Sequence, residues 1–558
     1  MRRRLLDDPQ EELCRLIFAD GPEAAFSTQD FLRRSTAYCR FFRTHSSRQQ
    51  QLVCVCLYHS LDLLAAFTGA FLAGQIPSMV APPSPRMEPQ KYRLSFRRIL
   101  EHLRPEYFVT EQPVLQSLGG LAGSIDCRLV STNEISSMTD AELTAHWAEP
   151  SPDAVVLLQH SSGTTGLQKG VALSHRAVLA QIGHYAGVLG LTGQDRIVSW
   201  LPLYHDMGLI ACFLLPLLWQ VPFVQISPFD WVTRPMMLFE ALHRCRGTLC
   251  FLPNFAYEFL AAGIRLSQME GFSLQSVRGF INCSEPVSAA THRRFHARFK
   301  DAGVHPEKLW SCYAMAENVF AVTQSEPAAS LKVERVDRDV FIASHKAEEI
   351  DSSSRERPVR EFVSCGRPIP GTLVEVRDPS GRKCAERTVG EICIRGDSLF
   401  TGYYGRDDLT CEAFWEDHWY RTGDLGYLSG GELYVTGRKK DLIIVQGRNF
   451  YPGDIEAIVS ATPGIVPGRA VAFGLMDERT GTEKIVVLAE TNVSLPEELE
   501  KIQLAVRTEV AQQLDCTIGD LHLLPERWLV KSTSGKIARP DNKEKFIREL
   551  MPGPEPRA

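Results

Sequence analysis

The run Ser161-Ser162-Gly163-Thr164-Thr165-Gly166-Leu167-Gln168-Lys169-Gly170 carries three glycines, four hydroxyl side chains and one lysine within ten residues. That set suits phosphate. Glycines let backbone N–H groups approach an anion, hydroxyls add donors, and lysine adds charge. The apolar run before it, residues 154–158, predicts a buried strand. The spacing G-x-x-x-x-G-K-[ST] is absent because Gly170 follows Lys169, which argues against a P-loop of the kinase or GTPase type. Taken alone, these ten residues also read as a flexible surface loop.

Other residues invite a chemical reading, each beside a plainer one. Glu317 offers a carboxylate for a metal, or a solvated charge at a helix start. Tyr313 offers a ring to stack on. Asp424 closes the turn Tyr420-Arg421-Thr422-Gly423-Asp424 and would accept from a ribose diol, or serve only as a turn aspartate. Lys536 stands in Ser532-Thr533-Ser534-Gly535-Lys536-Ile537, on a loop that also reads as a solvated tail. His205 reads as a ligand-site residue or as a core or turn histidine.

The elements that would position these residues alternate between strand and helix. Residues 52–57 predict a buried strand, and Asp62 then caps an apolar helix that stops at Gly74. Residues 81–85, with three prolines, form a rigid connection. A helix over 96–103 and a strand over 107–110 follow. Residues 198–209 read as a strand end and a polar turn, leading into an apolar helix through Leu218. Three segments repeat one design of strand, turn and helix: 248–257, 277–286 and 308–317. In open α/β sheets ligands sit beyond the carboxyl ends of strands, so these turns and the loop at 161–170 would line one pocket. Residues 331–360, rich in charge and serine, read as a surface insertion. Strands at 372–377 and 390–395 flank a turn at Asp378-Pro379-Ser380-Gly381. Residues 437–441 form a polar joint. A small α+β domain follows, with a helix from Asp454-Ile455, strands at 470–473 and 485–489, and an amphipathic helix over 497–514.

Length and composition bound the answer. A chain of 558 residues calls for two or more domains. With 44% hydrophobic and 23% charged residues it has a globular composition, and a net charge of −6 gives no footing for nucleic-acid binding. The most apolar stretch, 63–74, has twelve residues, too few for a membrane span. The basic opening Met1-Arg2-Arg3-Arg4 lacks the apolar run of a signal peptide. Fifteen scattered cysteines without a C-x-x-C pair argue against zinc and for reduced thiols in a cytoplasmic enzyme.

From about residue 25 to about 545 the ordered segments resemble the adenylate-forming superfamily of acyl-CoA synthetases, adenylation domains and acyl-AMP ligases. The likeness is strongest to fatty acyl-AMP ligases, carried by Trp200-Leu201-Pro202-Leu203-Tyr204-His205-Asp206-Met207-Gly208-Leu209-Ile210, by Pro253-Asn254-Phe255-Ala256-Tyr257, by Arg360-Glu361-Phe362-Val363-Ser364-Cys365-Gly366 and by Gly447-Arg448-Asn449-Phe450-Tyr451-Pro452. The resemblance implies an α/β fold. A large N-terminal domain (1–438) would hold stacked α/β subdomains plus a β-barrel-like part, with an insertion at about 331–361. A small mobile α+β domain (439–558) would carry the catalytic lysine. It also implies ATP, Mg²⁺ and two half-reactions: a carboxylic acid, for this group a fatty acid, becomes acyl-AMP with loss of pyrophosphate, and the acyl group passes to the phosphopantetheine thiol of an acyl carrier protein. Lipid, polyketide or nonribosomal peptide assembly is the implied setting.

Residue roles follow from the same resemblance. Ser162, Gly163, Thr164, Thr165, Gly166 and Lys169 would handle the phosphates, with Thr165 and Glu317 at Mg²⁺. Tyr313 would stack on adenine beside Ser284-Glu285-Pro286. Asp424, helped by Arg438, would bind the ribose. Lys536 would reach the carboxylate and α-phosphate, and Lys440 would be the hinge. His205, Phe255, Tyr257 and Ala314 would border the acyl chain. In the family the insertion restrains the domain movement that CoA use requires.

Three positions depart from the family pattern. Gln168 replaces the usual proline, Cys283 and Ser284 replace smaller residues, and Ala314 replaces a glycine. The added methyl at Ala314 predicts a pocket for a shorter or unusual acid. Two other readings stand beside the carrier-dependent ligase: an acyl-CoA ligase with the same catalytic residues, and a nucleotide-binding scaffold without turnover, against which the retention of Glu317 and Lys536 speaks.

Overall fold

The computed structural model describes residues 9–46, 48–83, 89–117, 127–136, 147–149, 151–160, 169–350, 357–446, 448–477, 480–532 and 535–551. Ser162, Gly163, Thr164, Thr165, Gly166 and Gln168, together with Gly447, Thr533 and Ser534, lie outside the described residues.

Two large sheets form the body of the chain. The first has seven strands in the order Gly402–Tyr403, Gly170–Ser174, Val155–His160, Ile76–Met79, Leu52–Cys56, Tyr107–Thr110 and Arg128–Ser131. Its last five strands are parallel, as the β–α alternation predicts. All five residues of Leu52–Cys56 are buried, which explains an unbroken apolar run with no alternation. The second sheet has nine strands, with Glu12–Ile17, Phe223–Ile226, Ile197–Ser199, Leu249–Leu252, Gly279–Asn282 and Leu309–Ala314 parallel at its centre. One continuous apolar core joins residues of both sheets with those of helices Thr28–His45, Leu61–Leu72 and His175–Leu189.

A four-stranded antiparallel sheet, Thr372–Arg377, Gly390–Gly396, Tyr420–Ser429 and Glu432–Arg438, supplies the β-barrel-like part. Beyond it a separate apolar core begins at Ile443. It is built on the three-stranded sheet Ile465–Asp477, Thr482–Thr491 and Ile518–Pro525 with helices Pro452–Ala461 and Pro496–Leu514.

Several expectations change on the structure. Ser60, not Asp62, caps the helix Leu61–Leu72: its side chain accepts from Leu63 N at 3.2 Å. Asp62 instead accepts from Arg34 and from the Tyr38 hydroxyl, on the neighbouring helix. The helix expected over 96–103 starts earlier, at Pro89. The third strand–turn–helix unit lacks its helix. Leu309–Ala314 passes through a short 3₁₀ turn, Ala316–Asn318, into the antiparallel strand Ala321–Gln324. The apolar segment after Asp206 is a π-helix, Met207–Leu214, before its α-helical end at Leu215–Trp219. Such helices are rare and gather at functional sites. Gly208 is required there, because a Cβ would lie 2.3 Å from the Pro202 carbonyl oxygen.

The segment expected as a surface insertion is ordered where described. Strands Val333–Asp337 and Val359–Val363 pair antiparallel around the helix Arg338–Ser344, which Asp337 caps through the N–H groups of Asp339 and Val340. Residues 351–356, which hold most of its serine-rich run, lie outside the described residues. Its apolar residues are few but well spaced: Val336, Phe341 and Ala347 are buried with Phe362, Tyr427, Tyr434 and Tyr451.

Candidate active site

The strand Val155–His160 and the strand Gly170–Ser174 pair antiparallel, with His160 opposite Gly170. The phosphate-type loop is therefore closed at its base by a strand pair. His160 Nε2 shares a hydrogen bond with Ser78 Oγ at 2.8 Å. Burial holds this imidazole at about 4, so it is neutral at pH 7. Lys169, the first described residue after the loop, places Nζ 4.3 Å from the centre of the Tyr403 ring.

Glu317 sits on the 3₁₀ turn that ends the strand Leu309–Ala314. The turn is tight: Val319 has φ +60°, and Phe320 N donates to Asn318 O at 2.6 Å. A β-branched residue in that region is strained, and such strain clusters at functional positions. Glu317 Oε1 accepts from the Tyr403 hydroxyl at 3.0 Å, and its carbonyl accepts from Phe400 N at 2.9 Å. Burial pushes its carboxyl up, and the nearby Asp206 adds to that push.

Tyr313, next to Ala314 at the same strand end, donates from its hydroxyl to Asp424 Oδ2 at 2.8 Å. Asp424 pairs in register with Arg438 across the sheet, and Arg438 Nε lies 3.3 Å from Asp424 Oδ1. The candidate base-stacking and ribose residues therefore touch, although 111 positions separate them.

Ser284-Glu285-Pro286 follows the strand Gly279–Asn282. Ser284 has φ +70°, and its carbonyl accepts from Lys536 Nζ at 2.6 Å. Lys536 stands on a turn closed by Gly535 N donating to Ser532 O at 2.9 Å and by the bridge between Lys531 and Ile537. Gly535 takes φ +86°, and a Cβ there would stand 3.0 Å from the Phe255 ring. Glycine thus lets the turn enter the pocket. Phe255 N donates to Glu285 Oε2 at 2.8 Å. Burial raises the Glu285 and Asp206 carboxyls, and the charge of Lys536 opposes both shifts. The charge of Lys536 thus acts on both acidic side chains.

The expected acyl-channel residues separate into two groups. His205 and Phe255 are half-buried near the pocket; His205 packs edge-on to Tyr204 at 4.9 Å, and Phe255 packs on Trp200 at 6.1 Å. Tyr257 is fully buried, with its ring on His292 and Phe295. Lys440 is exposed on the joint Lys439–Asp441, whose Asp441 accepts from Arg539 at 2.7 Å.

Three residues at the site carried no role in the sequence reading: Asp206, Tyr403 and Tyr420. Asp206 stands beside His205 in the run 200–210, and Tyr420 opens the turn 420–424. Tyr403 and Tyr420, whose hydroxyls are 3.2 Å apart, come from distant turns, and no spacing in the chain announces their meeting.

Among the described residues no group of three or more His, Cys, Asp or Glu side chains is placed to hold a metal. Glu317, with Asp206 nearby, fits a hard cation that takes one or two carboxylates and completes its shell with phosphate and water.

An AMP-binding enzyme family model matches residues 10–404. The chain belongs to the AMP-binding enzyme family. Among relatives, this AMP-binding enzyme is 29% identical over 515 residues to the medium-chain-fatty-acid–[acyl-carrier-protein] ligase JamA of Moorena producens, covering 88% of this chain and 85% of JamA. It is 30% identical over 511 residues to the long-chain-fatty-acid–AMP ligase FadD26 of Mycobacterium marinum, covering 86% and 84%. A solved structure from a study of fatty acyl-adenylate ligases of E. coli and L. pneumophila superposes with a TM-score of 0.88 at 29% identity, over 97% of both chains. The fold is that of adenylate-forming ligases, and this AMP-binding enzyme is a ligase. Among the described residues no helix is long and apolar enough to cross a membrane.

Proposed function

We propose that this AMP-binding enzyme uses ATP to convert a fatty acid to acyl-AMP and pyrophosphate, then passes the acyl group to the phosphopantetheine thiol of an acyl carrier protein. The observation that carries the reading is Lys536. A lysine from beyond the second core reaches into the pocket where Ser284, Glu285 and Asp206 converge. A cation held there by a carbonyl is what an incoming carboxylate and an α-phosphate would need. The likeness to JamA and FadD26 supports the choice of acid and carrier.

In the first step a carboxylate oxygen attacks the α-phosphorus, the bond to the bridging oxygen breaks, and pyrophosphate leaves. Both reactants are anions, so the protein's work is neutralisation and alignment. Lys536 neutralises the reacting oxygens. Tyr313 supports the adenine, and Asp424 with Arg438 takes the ribose hydroxyls. Lys169, with Ser162 to Gly166, takes the leaving phosphates. Mg²⁺, held by Glu317 with Thr165, would supply charge neutralisation at the phosphates.

In the second step a thiol attacks the acyl carbonyl and AMP leaves. Lys536 then occupies space the thiol needs, so residues 439–558 rotate about Lys440 as a mobile domain. Ala314, half-buried beside Tyr313, narrows the site toward acids shorter than palmitate. Free cysteines throughout the chain support a cytoplasmic setting.

The test is exchange of labelled pyrophosphate into ATP across short- to long-chain acids. Exchange that depends on the acid supports the reading. Exchange with none of them would sink it.

A further inference from the structure

The segment 400–404 touches three parts of the site at once. Gly402 and Tyr403 pair antiparallel with Ala172 and Val171, the strand that leaves the phosphate-type loop. Tyr404 N donates to Gly170 O at 2.7 Å and Thr401 N to Ala172 O at 2.8 Å, so the segment is fixed to that strand. At its other side Phe400 N donates to the Glu317 carbonyl at 2.9 Å. The segment thus ties the end of the loop to the Glu317 turn through backbone alone.

Tyr403 uses both ends of its side chain within this frame. Its ring carries Lys169 Nζ at 4.3 Å from the centroid, within the range of a cation–π contact. Its hydroxyl donates to Glu317 Oε1 at 3.0 Å and lies 3.2 Å from the Tyr420 hydroxyl. Tyr403 is 6% exposed and Lys169 is half-buried, so the hydroxyl contact is largely and the ring contact partly shielded from water. Tyr420 begins the strand that also carries Asp424.

We infer that Tyr403 is a positioning residue whose ring docks Lys169 and whose hydroxyl aligns Glu317, so that the loop lysine and the cation-binding carboxylate are set together. It touches no reacting atom. The inference rests on the proposed roles of Lys169 and Glu317, but its tests require no turnover, so its failure and that of the adenylation reading are distinguishable.

Two substitutions separate the two ends. Tyr403→Phe keeps the ring and removes the hydroxyl. Tyr403→Leu removes both. The first readout is Mn²⁺ affinity, measured by electron paramagnetic resonance titration with a non-hydrolysable ATP analogue. Groups that orient a metal ligand typically matter by 10–100-fold, so both variants should bind Mn²⁺ at least about tenfold more weakly. The second readout is the rate at which Lys169 is acetylated by an amine reagent without nucleotide, followed by peptide mass spectrometry. Loss of a partly shielded cation–π contact predicts labelling about three- to fivefold faster in Tyr403→Leu, with Tyr403→Phe close to the parent. A merely structural tyrosine would lower thermal stability and leave both readouts unmoved. A Phe variant with the parent's Mn²⁺ affinity, or a Leu variant with the parent's labelling rate, overturns the inference.

Discussion

Lys536 Nζ donates to the Ser284 carbonyl at 2.6 Å, across 252 positions of the chain. The contact depends on two backbone exceptions, Ser284 at φ +70° and Gly535 at φ +86°. The lysine waits on a carbonyl, a partner it can leave when a carboxylate and a phosphate arrive. Lys536→Ala should lower acid-dependent pyrophosphate exchange by about 10²–10³-fold while the KM for ATP moves less than about twofold, because the lost charge acts mainly in the transition state. Unimpaired exchange in this variant would remove the lysine from the mechanism.

Asp424 joins Tyr313 and Arg438 on one carboxylate. A carboxylate accepting from a ribose diol makes charge-assisted hydrogen bonds worth about 1.5–3 kcal/mol. Asp424→Ala should therefore weaken ATP binding by at least about tenfold in calorimetry, and Tyr313→Phe, which keeps its ring, should do much less. Equal effects of the two would mean that the aspartate serves only to hold the tyrosine.

How far the chain could be read in advance differs from place to place. Most of the parallel strands were legible, Leu52–Cys56 and Leu249–Leu252 among them, because each is a short apolar run ending in a polar turn; Glu12–Ile17, Ile76–Met79, Arg128–Ser131 and Phe223–Ile226 were not. Lys536, Tyr313, Glu317 and Asp424 were legible through resemblance; their contacts were not, since Tyr313 and Asp424 meet only when two sheets pack. Tyr403 was silent because a tyrosine after a glycine is ordinary in a turn. The segment 331–360 was legible only as a charged surface insertion; its internal fold was not, because Val336, Phe341 and Ala347 find their partners, Tyr427, Tyr434 and Tyr451, far along the chain.

That segment also holds the second core. Arg360 lies 2.9 Å from Asp454 Oδ1, and its guanidinium is within 4.8 Å of the centres of the Phe341, Phe362 and Tyr451 rings. Its side chain is only 11% exposed, so the pair is shielded from salt and water. If this latch restrains rotation of residues 439–558, Arg360→Ala should raise acyl-CoA formation from free CoA several-fold relative to carrier loading. An unchanged ratio, in a variant that still forms adenylate, would show that the latch does not select the acceptor.

Acid should destabilise the fold through histidines. Burial lowers His59, His160 and His292 from 6.5 to about 4. The unfolded chain then binds more protons than the folded one between those values, so stability is present above pH 6.5 and is lost as pH falls toward 4. Each shift corresponds to about 3 kcal/mol at most. His292→Gln, at the most enclosed of the three, should flatten the fall of Tm between pH 6.5 and 4. A Tm profile as steep as the parent's would point to other groups.

The measurement that bears most directly on the account is a split product assay by mass spectrometry. The protein is given ATP, Mg²⁺ and a panel of short- to long-chain acids, and the reaction is divided between free CoA and a phosphopantetheinylated carrier protein. The expected result is acyl-adenylate from an acid shorter than palmitate, a loaded carrier, and little acyl-CoA. Efficient acyl-CoA formation would contradict it and make the chain an acyl-CoA ligase.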